Sequence, residues 1–173
     1  DDCAVVGDEP ALEVFMVEFA HSKFTIKRIG KLTEYVGCSV IKKEGSSGLK
    51  LMQPRMISKM WDKFGNELKN MKPRETPMGP TLKVIRPDKE SELISNEMQE
   101  KYRSGVGMLL YLVKLSRPDI SNATRELSKV MDGANIQHYK WMLRTLRFVI
   151  DTRNFGLKID PIKSSKAWVL KGI

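Results

Sequence analysis

Two adjacent carboxylates, Asp1-Asp2, run straight into Cys3-Ala4-Val5-Val6-Gly7-Asp8. Carboxylates fixed together at a strand tip can share divalent metal ions, which bind and polarise phosphates. At a chain end the same pair also reads as a frayed, solvated terminus. Further along, Lys140, Arg144 and Arg147 fall at i, i+4 and i+7 of a helical stretch, and Arg153 extends the row. Such a row can follow a phosphate backbone, but a solvated face on a bundle helix has the same pattern. Cys3 and Cys38 have no His nearby in sequence and read as packed small residues rather than nucleophiles or ligands. His21 and His138 lack ligand partners at metal-site spacing and read as surface or helix-edge residues.

The elements that position these groups follow from hydrophobic period and punctuation. A short apolar strand is expected at 3–6. Asp8-Glu9-Pro10 is a helix start, and Leu12, Phe15, Met16 and Phe19 mark a face expected to pack on a sheet. Residues 24–28 alternate as a half-buried strand. The stretches 35–41 and 48–52 flank Lys42-Lys43-Glu44-Gly45-Ser46-Ser47 as a β-hairpin. A second helix follows with Met56, Ile57, Met60, Trp61 and Phe64 apolar, and Gly65 is its expected stop. Residues 66–95 hold Pro73, Pro77, Pro80 and Pro87 in a polar background and read as a connector draped over the surface. Three amphipathic helices come next. The first covers 96–115 with Met98, Tyr102, Leu109, Leu110 and Val113 inward. The second covers 118–132 with Ile120, Ala123, Leu127, Val130 and Met131 inward and Gly133 as stop. The third covers 136–152 with Met142, Leu146, Val149 and Ile150 inward. With short connections they should pack as a small bundle.

At 173 residues and 41% hydrophobic composition the chain can bury one or two small cores. No apolar run reaches the length that spans a bilayer. The first residues lack a basic region followed by an apolar stretch, so no signal peptide is expected and the chain reads as a piece of a longer polypeptide. Two cysteines exclude a disulfide framework and suggest a reducing, intracellular setting. The net charge of +9 is uneven: residues 1–30 carry −3, leaving +12 for the rest. An acidic end that can hold metal and a basic body that can hold polyanion point to a polyphosphate partner, although Lys-rich surfaces also serve solubility alone.

Read in order, these segments resemble the polymerase of copia-type retrotransposons. Asp1-Asp2-Cys3-Ala4-Val5-Val6-Gly7 is similar to that family's aromatic-x-Asp-Asp turn without its first two residues. Ile29-Gly30-Lys31-Leu32 leading to Tyr35-Val36-Gly37-Cys38-Ser39-Val40 resembles its following block. Gly48-Leu49-Lys50-Leu51-Met52-Gln53 with the Met/Ile/Trp helix and Phe64-Gly65 resembles the next, and Thr76-Pro77-Met78 is similar to the family's Thr-Pro-Met. The most specific stretch runs from Tyr102-Arg103-Ser104-Gly105 through Tyr111-Leu112 to Arg117-Pro118-Asp119-Ile120.

The resemblance implies an α+β chain: the end of a right-hand polymerase palm, built from a helix and an antiparallel hairpin, then a helical thumb bundle. Residues 1–65 would be palm, 66–95 connector, 96–155 thumb, and 156–173 the lead-in to a ribonuclease H domain. It implies that Asp1 and Asp2 are catalytic, metal-binding carboxylates for two Mg²⁺ ions, with Mn²⁺ an alternative. Tyr35, Val36, Gly37 and Cys38 would belong to a primer-grip-like hairpin. The partners implied are an RNA/DNA template-primer duplex, deoxynucleoside triphosphates and the rest of a Pol polyprotein, with no membrane. The setting implied is intracellular: cytoplasmic virus-like particles and the nucleus. Lys140, Arg144 and Arg147 are candidate backbone contacts on charge and spacing, not on the resemblance. The family also needs a further Asp from an earlier palm strand and a fingers region, so this segment alone is expected to be inactive. The rival reading is a non-catalytic basic remnant that grips duplex nucleic acid, and a third is a structural helical domain with no polynucleotide partner.

Overall fold

The computed structural model describes residues 5, 7–21, 30–42, 48–88 and 93–159. Strands β1 (Glu34–Tyr35), β2 (Cys38–Lys42), β3 (Leu49–Met52) and β4 (Leu157–Ile159) form one antiparallel sheet in that order. The expected hairpin is present as β2 and β3, in register from Ser39↔Met52 to Lys42↔Leu49; its tip, 43–47, lies outside the described residues. The sheet continues on both sides. Tyr35↔Cys38 closes a tight β1–β2 turn, and β4 pairs with β3 from Leu49↔Ile159 to Leu51↔Leu157. Residues 157–159, within the expected lead-in 156–173, pair as the edge strand of this sheet. Gly156 permits this, because a Cβ there would stand 2.3 Å from the Leu51 carbonyl oxygen.

Between β3 and β4 lie the helices α2 (Pro54–Leu68), α3 (Asn96–Leu115), α4 (Ser121–Ser128) and α5 (Ile136–Asp151), with a 3-10 turn at Pro118–Ile120 before α4. Their apolar stripes meet in one core. Met60, Phe64 and Leu68 of α2 share it with Tyr102, Val106, Leu109 and Leu112 of α3, and Ile120, Leu127, Met142, Leu146 and Val149 complete it. Full burial of each large side chain contributes roughly 1.5–3 kcal/mol, so the stripes rather than intrinsic propensity hold the bundle. Two polar side chains inside the bundle are paired: Tyr102 donates to the Leu127 carbonyl at 2.7 Å, and Gln99 bridges the Met131 carbonyl and the Ala134 amide at 2.7 and 2.9 Å.

Several expectations shift. Gly65 does not end α2, which runs on to Leu68. The Trp61 indole lies 3.3 Å from where a Gly65 Cβ would be, so this glycine makes room for an aromatic ring instead of a left-handed turn. The second bundle helix stops at Ser128, short of Gly133. Leu110 faces outward at 42% exposure, while Val106 and Leu112, not singled out by spacing, are fully buried. The connector is not simply draped: Met78 and Val84 are buried in the core.

Helix α1 (Glu9–Ala20) starts where expected, with the Asp8 carboxylate accepting from the Ala11 amide at 2.9 Å. None of its residues is buried, so the expected packing of its Leu12–Phe19 face on a sheet is not seen among the described residues. Phe15 and Phe19 stack on each other instead, with ring centroids 5.2 Å apart. The strand expected at 24–28 lies outside the described residues. So does the strand expected at 3–6, apart from Val5, which is not in a strand.

Candidate nucleic-acid interface

The β1–β2 connection has only two residues, Val36 and Gly37, with φ of +47° and +75°. Positive φ at both positions is the mark of a type I′ hairpin turn, normally filled by Asn-Gly because a β-branched residue is strained there. Val36 holds this conformation with its side chain 42% exposed, beside an exposed Tyr35. The restraint comes from α3: the Tyr111 hydroxyl donates to the Val36 carbonyl at 3.2 Å. A Cβ on Gly37 would stand 2.4 Å from the same hydroxyl oxygen, so glycine is required for closeness as well as for φ. Cys38, next along, is buried at 3% exposure and its thiol is pushed up by burial, which fits packing rather than reactivity.

Other contacts fix the hairpin to the helices. Ser116 Oγ at the end of α3 donates to Gln53 Oε1 at 2.7 Å, both residues being buried. Glu34 and Arg55 form an exposed ion pair at 2.9 Å. Lys50 Nζ on β3 bonds the Asn154 carbonyl just before β4.

The basic row on α5 is not a uniformly open face. Lys140 is exposed. Arg147 is mostly covered: its Nε donates to Asp151 at 3.0 Å and its Nη1 to the Leu68 carbonyl at 3.0 Å. Arg144 Nη2 donates to Thr76 Oγ at 3.1 Å, tying α5 to the connector. An open groove of about 720 Å³ lies between α2 and α5, where Ile57, Trp61 and Ile150 adjoin Arg147 and Arg153. Aromatic and guanidinium groups together suit unpaired bases and phosphates.

Asp1 and Asp2 lie outside the described residues. Among the described residues no group of three His, Cys, Asp or Glu side chains could hold a metal ion, and no helix is long and apolar enough to cross a membrane.

Comparison with known proteins adds the context. The chain is 29% identical over 157 residues to the retrovirus-related Pol polyprotein of transposon TNT 1-94 from Nicotiana tabacum, covering 85% of this chain and 11% of the polyprotein. It is 30% identical over 159 residues to the Pol polyprotein of transposon RE1 from Arabidopsis thaliana, covering 91% and 10%. Its homologues include retrotransposon Pol polyproteins. The chain spans about a tenth of the length of these Pol relatives. It is also 29% identical over 169 residues to an uncharacterized mitochondrial protein of Arabidopsis thaliana, covering 96% of this chain and 64% of that protein. No protein-family model matches, and no solved structure matches.

In this Pol-related chain, Arg117-Pro118-Asp119-Ile120 is a clamp rather than a contact site. The Arg117 side chain is 1% exposed. Its Nε and Nη2 grip Asp119 at 2.9 and 2.8 Å, while Nη1 and Nη2 reach the Thr152 carbonyl and hydroxyl at 3.2 and 2.8 Å. The guanidinium also lies over the Phe148 and Phe155 rings at 5.7 and 5.6 Å. One side chain thus joins the end of α3 to the end of α5. Sequence reasoning did not assign Tyr111 or Arg117 a role; Pro118 directly after Arg117 marked the break but not the arginine's burial.

Proposed function

We propose that this chain is a segment of an RNA-directed DNA polymerase, the reverse transcriptase of a copia-type retrotransposon. In it residues 1–65 form the end of the palm and residues 96–155 the thumb, around a template-primer duplex. The observation that carries this reading is the Val36–Gly37 turn. Strained backbone persists where surrounding structure over-determines it, and it clusters at ligand clamps. Here the hydroxyl of Tyr111 holds a strained valine and an exposed tyrosine outward at a hairpin turn. The similarity to Pol polyproteins supports the polynucleotide as the ligand.

Asp1 and Asp2 offer the hard oxygen ligands that Mg²⁺ takes. When bound, two such ions would activate a primer hydroxyl and neutralise charge developing on the leaving pyrophosphate of a deoxynucleoside triphosphate. The part played by the described residues is positional. Tyr35 and Val36 bear on the primer end, Cys38 anchors the strand behind them, and Ser116–Gln53 keeps hairpin and thumb in fixed relation.

A primer–template carrying a photoactivatable group at the primer 3′ end tests this. Crosslinks should map to residues 35–37. Crosslinks confined to α4, or none above those formed by a Tyr35→Ala, Val36→Ala chain, would remove the hairpin from the binding surface.

A further inference from the structure

Of the eight prolines, only Pro77 follows a Ser or Thr. Thr76 is exposed, and residues 72–79 form neither helix nor strand, the condition in which a kinase can take a segment in extended form. Its hydroxyl already meets a cation, Arg144 Nη2, at 3.1 Å. The Nε of the same guanidinium is buried and has no hydrogen-bond partner among the described residues. Nε and Nη2 make up one edge of an arginine, the edge that in Arg117 holds both oxygens of Asp119. In Arg144 that fork is half filled, by one neutral oxygen. Planar forks of this kind match the geometry of phosphate oxygens. The nearby carboxylate Asp151 does not compete, because it is taken up by the Arg147 side chain and the Arg74 amide.

We propose that Thr76 is a phosphorylation site for a proline-directed protein kinase, and that Arg144 receives the phosphate, locking the connector onto α5. The Thr76 Oγ–P bond forms as the β–γ anhydride of ATP breaks; ADP leaves and the hydroxyl proton passes to the kinase's base. The product carries close to two negative charges beside a guanidinium that was short of an acceptor. This inference does not depend on the polymerase reading.

The folded 173-residue chain is incubated with a proline-directed kinase and ATP, and the phosphate is located by tandem mass spectrometry. One phosphate is expected at Thr76, and Thr76→Ala should take none. At low salt the phosphorylated chain should melt about 2–4 °C higher than the unmodified one, the shift expected of one good charge-assisted contact in a domain of this size. The rise should vanish in Arg144→Gln and survive in part in Arg144→Lys, which keeps the charge but loses the fork. Failure to label Thr76 in the folded chain, or absence of a rise in Tm, overturns the proposal. So does a rise of equal size in Arg144→Gln.

Discussion

At the scale of single residues, the side chains that matter most are those that hold backbone in place. Arg117 is buried, doubly bonded to a partly exposed Asp119 and bonded again to Thr152, so Arg117→Ala leaves two Thr152 oxygens without their donor and opens a cavity beside the Phe148 ring. A loss of roughly 2–3 kcal/mol is expected from the lost hydrogen bonds and the cavity, read as a lower urea midpoint. Lysine at this position should rescue little, because it has no fork and does not stack; recovery to the wild-type midpoint would refute the clamp. Val36→Asn should raise stability by about 1 kcal/mol, since Asn tolerates a left-handed φ that Val does not. Tyr111→Phe should lower it by about 1 kcal/mol. If Val36 is retained for contact with the primer, Val36→Asn will melt higher yet bind an RNA–DNA duplex more weakly. Tighter binding together with higher stability would leave the strained valine without a use. Spacing reads 35–41 as one strand with the hairpin turn at 42–47, and so runs straight through the chain reversal at Val36-Gly37. The hydroxyl that holds the turn was not visible, because it comes from 75 residues away in sequence.

At the scale of elements, what was legible was what is periodic. The limits 96–115 of α3 and the start of α5 at Ile136 could be read because apolar residues recur along continuous faces and caps mark the ends: Ser95 and Asn135 both accept from the backbone three residues on. The burial of Met78 and Val84 was not legible, since an irregular segment has no period. The capping box of α5 was also hidden. There His138 Nδ1 accepts from the Asn135 amide at 3.1 Å while the side chain is buried. Burial holds this imidazole below its ordinary 6.5, with a bond to the Ile85 backbone acting the other way. The unfolded chain therefore takes up the proton first. Stability from this residue is full above about pH 6.5 and is lost as pH falls from there towards the lowered folded value. Glu126 adds a second, more acidic window. Its carboxylate is held below 4.5 by the Lys129 ammonium and the Val84 amide, against burial. Its contribution is complete above 4.5 and disappears as pH drops through the lowered value. Urea midpoints measured from pH 8 to 5 should decline below 6.5 in the wild type and much less in His138→Gln, which keeps an acceptor at the cap. Parallel curves for the two proteins would rule out His138 as the source.

At the scale of the whole molecule, the charges of the α5 row divide between holding the fold and facing solvent. Arg147 is engaged with Asp151 and Leu68, so Arg147→Gln should cost roughly 1–2 kcal/mol of stability and scarcely alter duplex binding. Lys140→Gln should leave stability unchanged and reduce the log-affinity versus log-salt slope by about 0.9, the share of one phosphate contact. The reverse pattern would mean that the row acts as its spacing suggests rather than as its contacts do. The isolated 173-residue segment should extend no primer with Mg²⁺ or Mn²⁺, because the resemblance calls for a further Asp from an earlier palm strand and a fingers region, neither of which is among these residues. Incorporation above an Asp1→Asn, Asp2→Asn control would contradict that.

The pairing of β3 with β4 bears on how the chain reaches this state. Strands at 49–51 and 157–159 are separated by the entire helical bundle, so their ladder cannot form cheaply in an unfolded chain, where closing so long a loop is entropically costly. Once the helices have packed, Arg117 has drawn the 152–155 turn against the end of α3, and Ser116 has drawn Gln53 to the same place. The two strands are then near neighbours. The bundle should therefore assemble early and fast, with the sheet closing last. Gly156→Ala, which blocks that closure, should speed unfolding while leaving the folding rate nearly untouched.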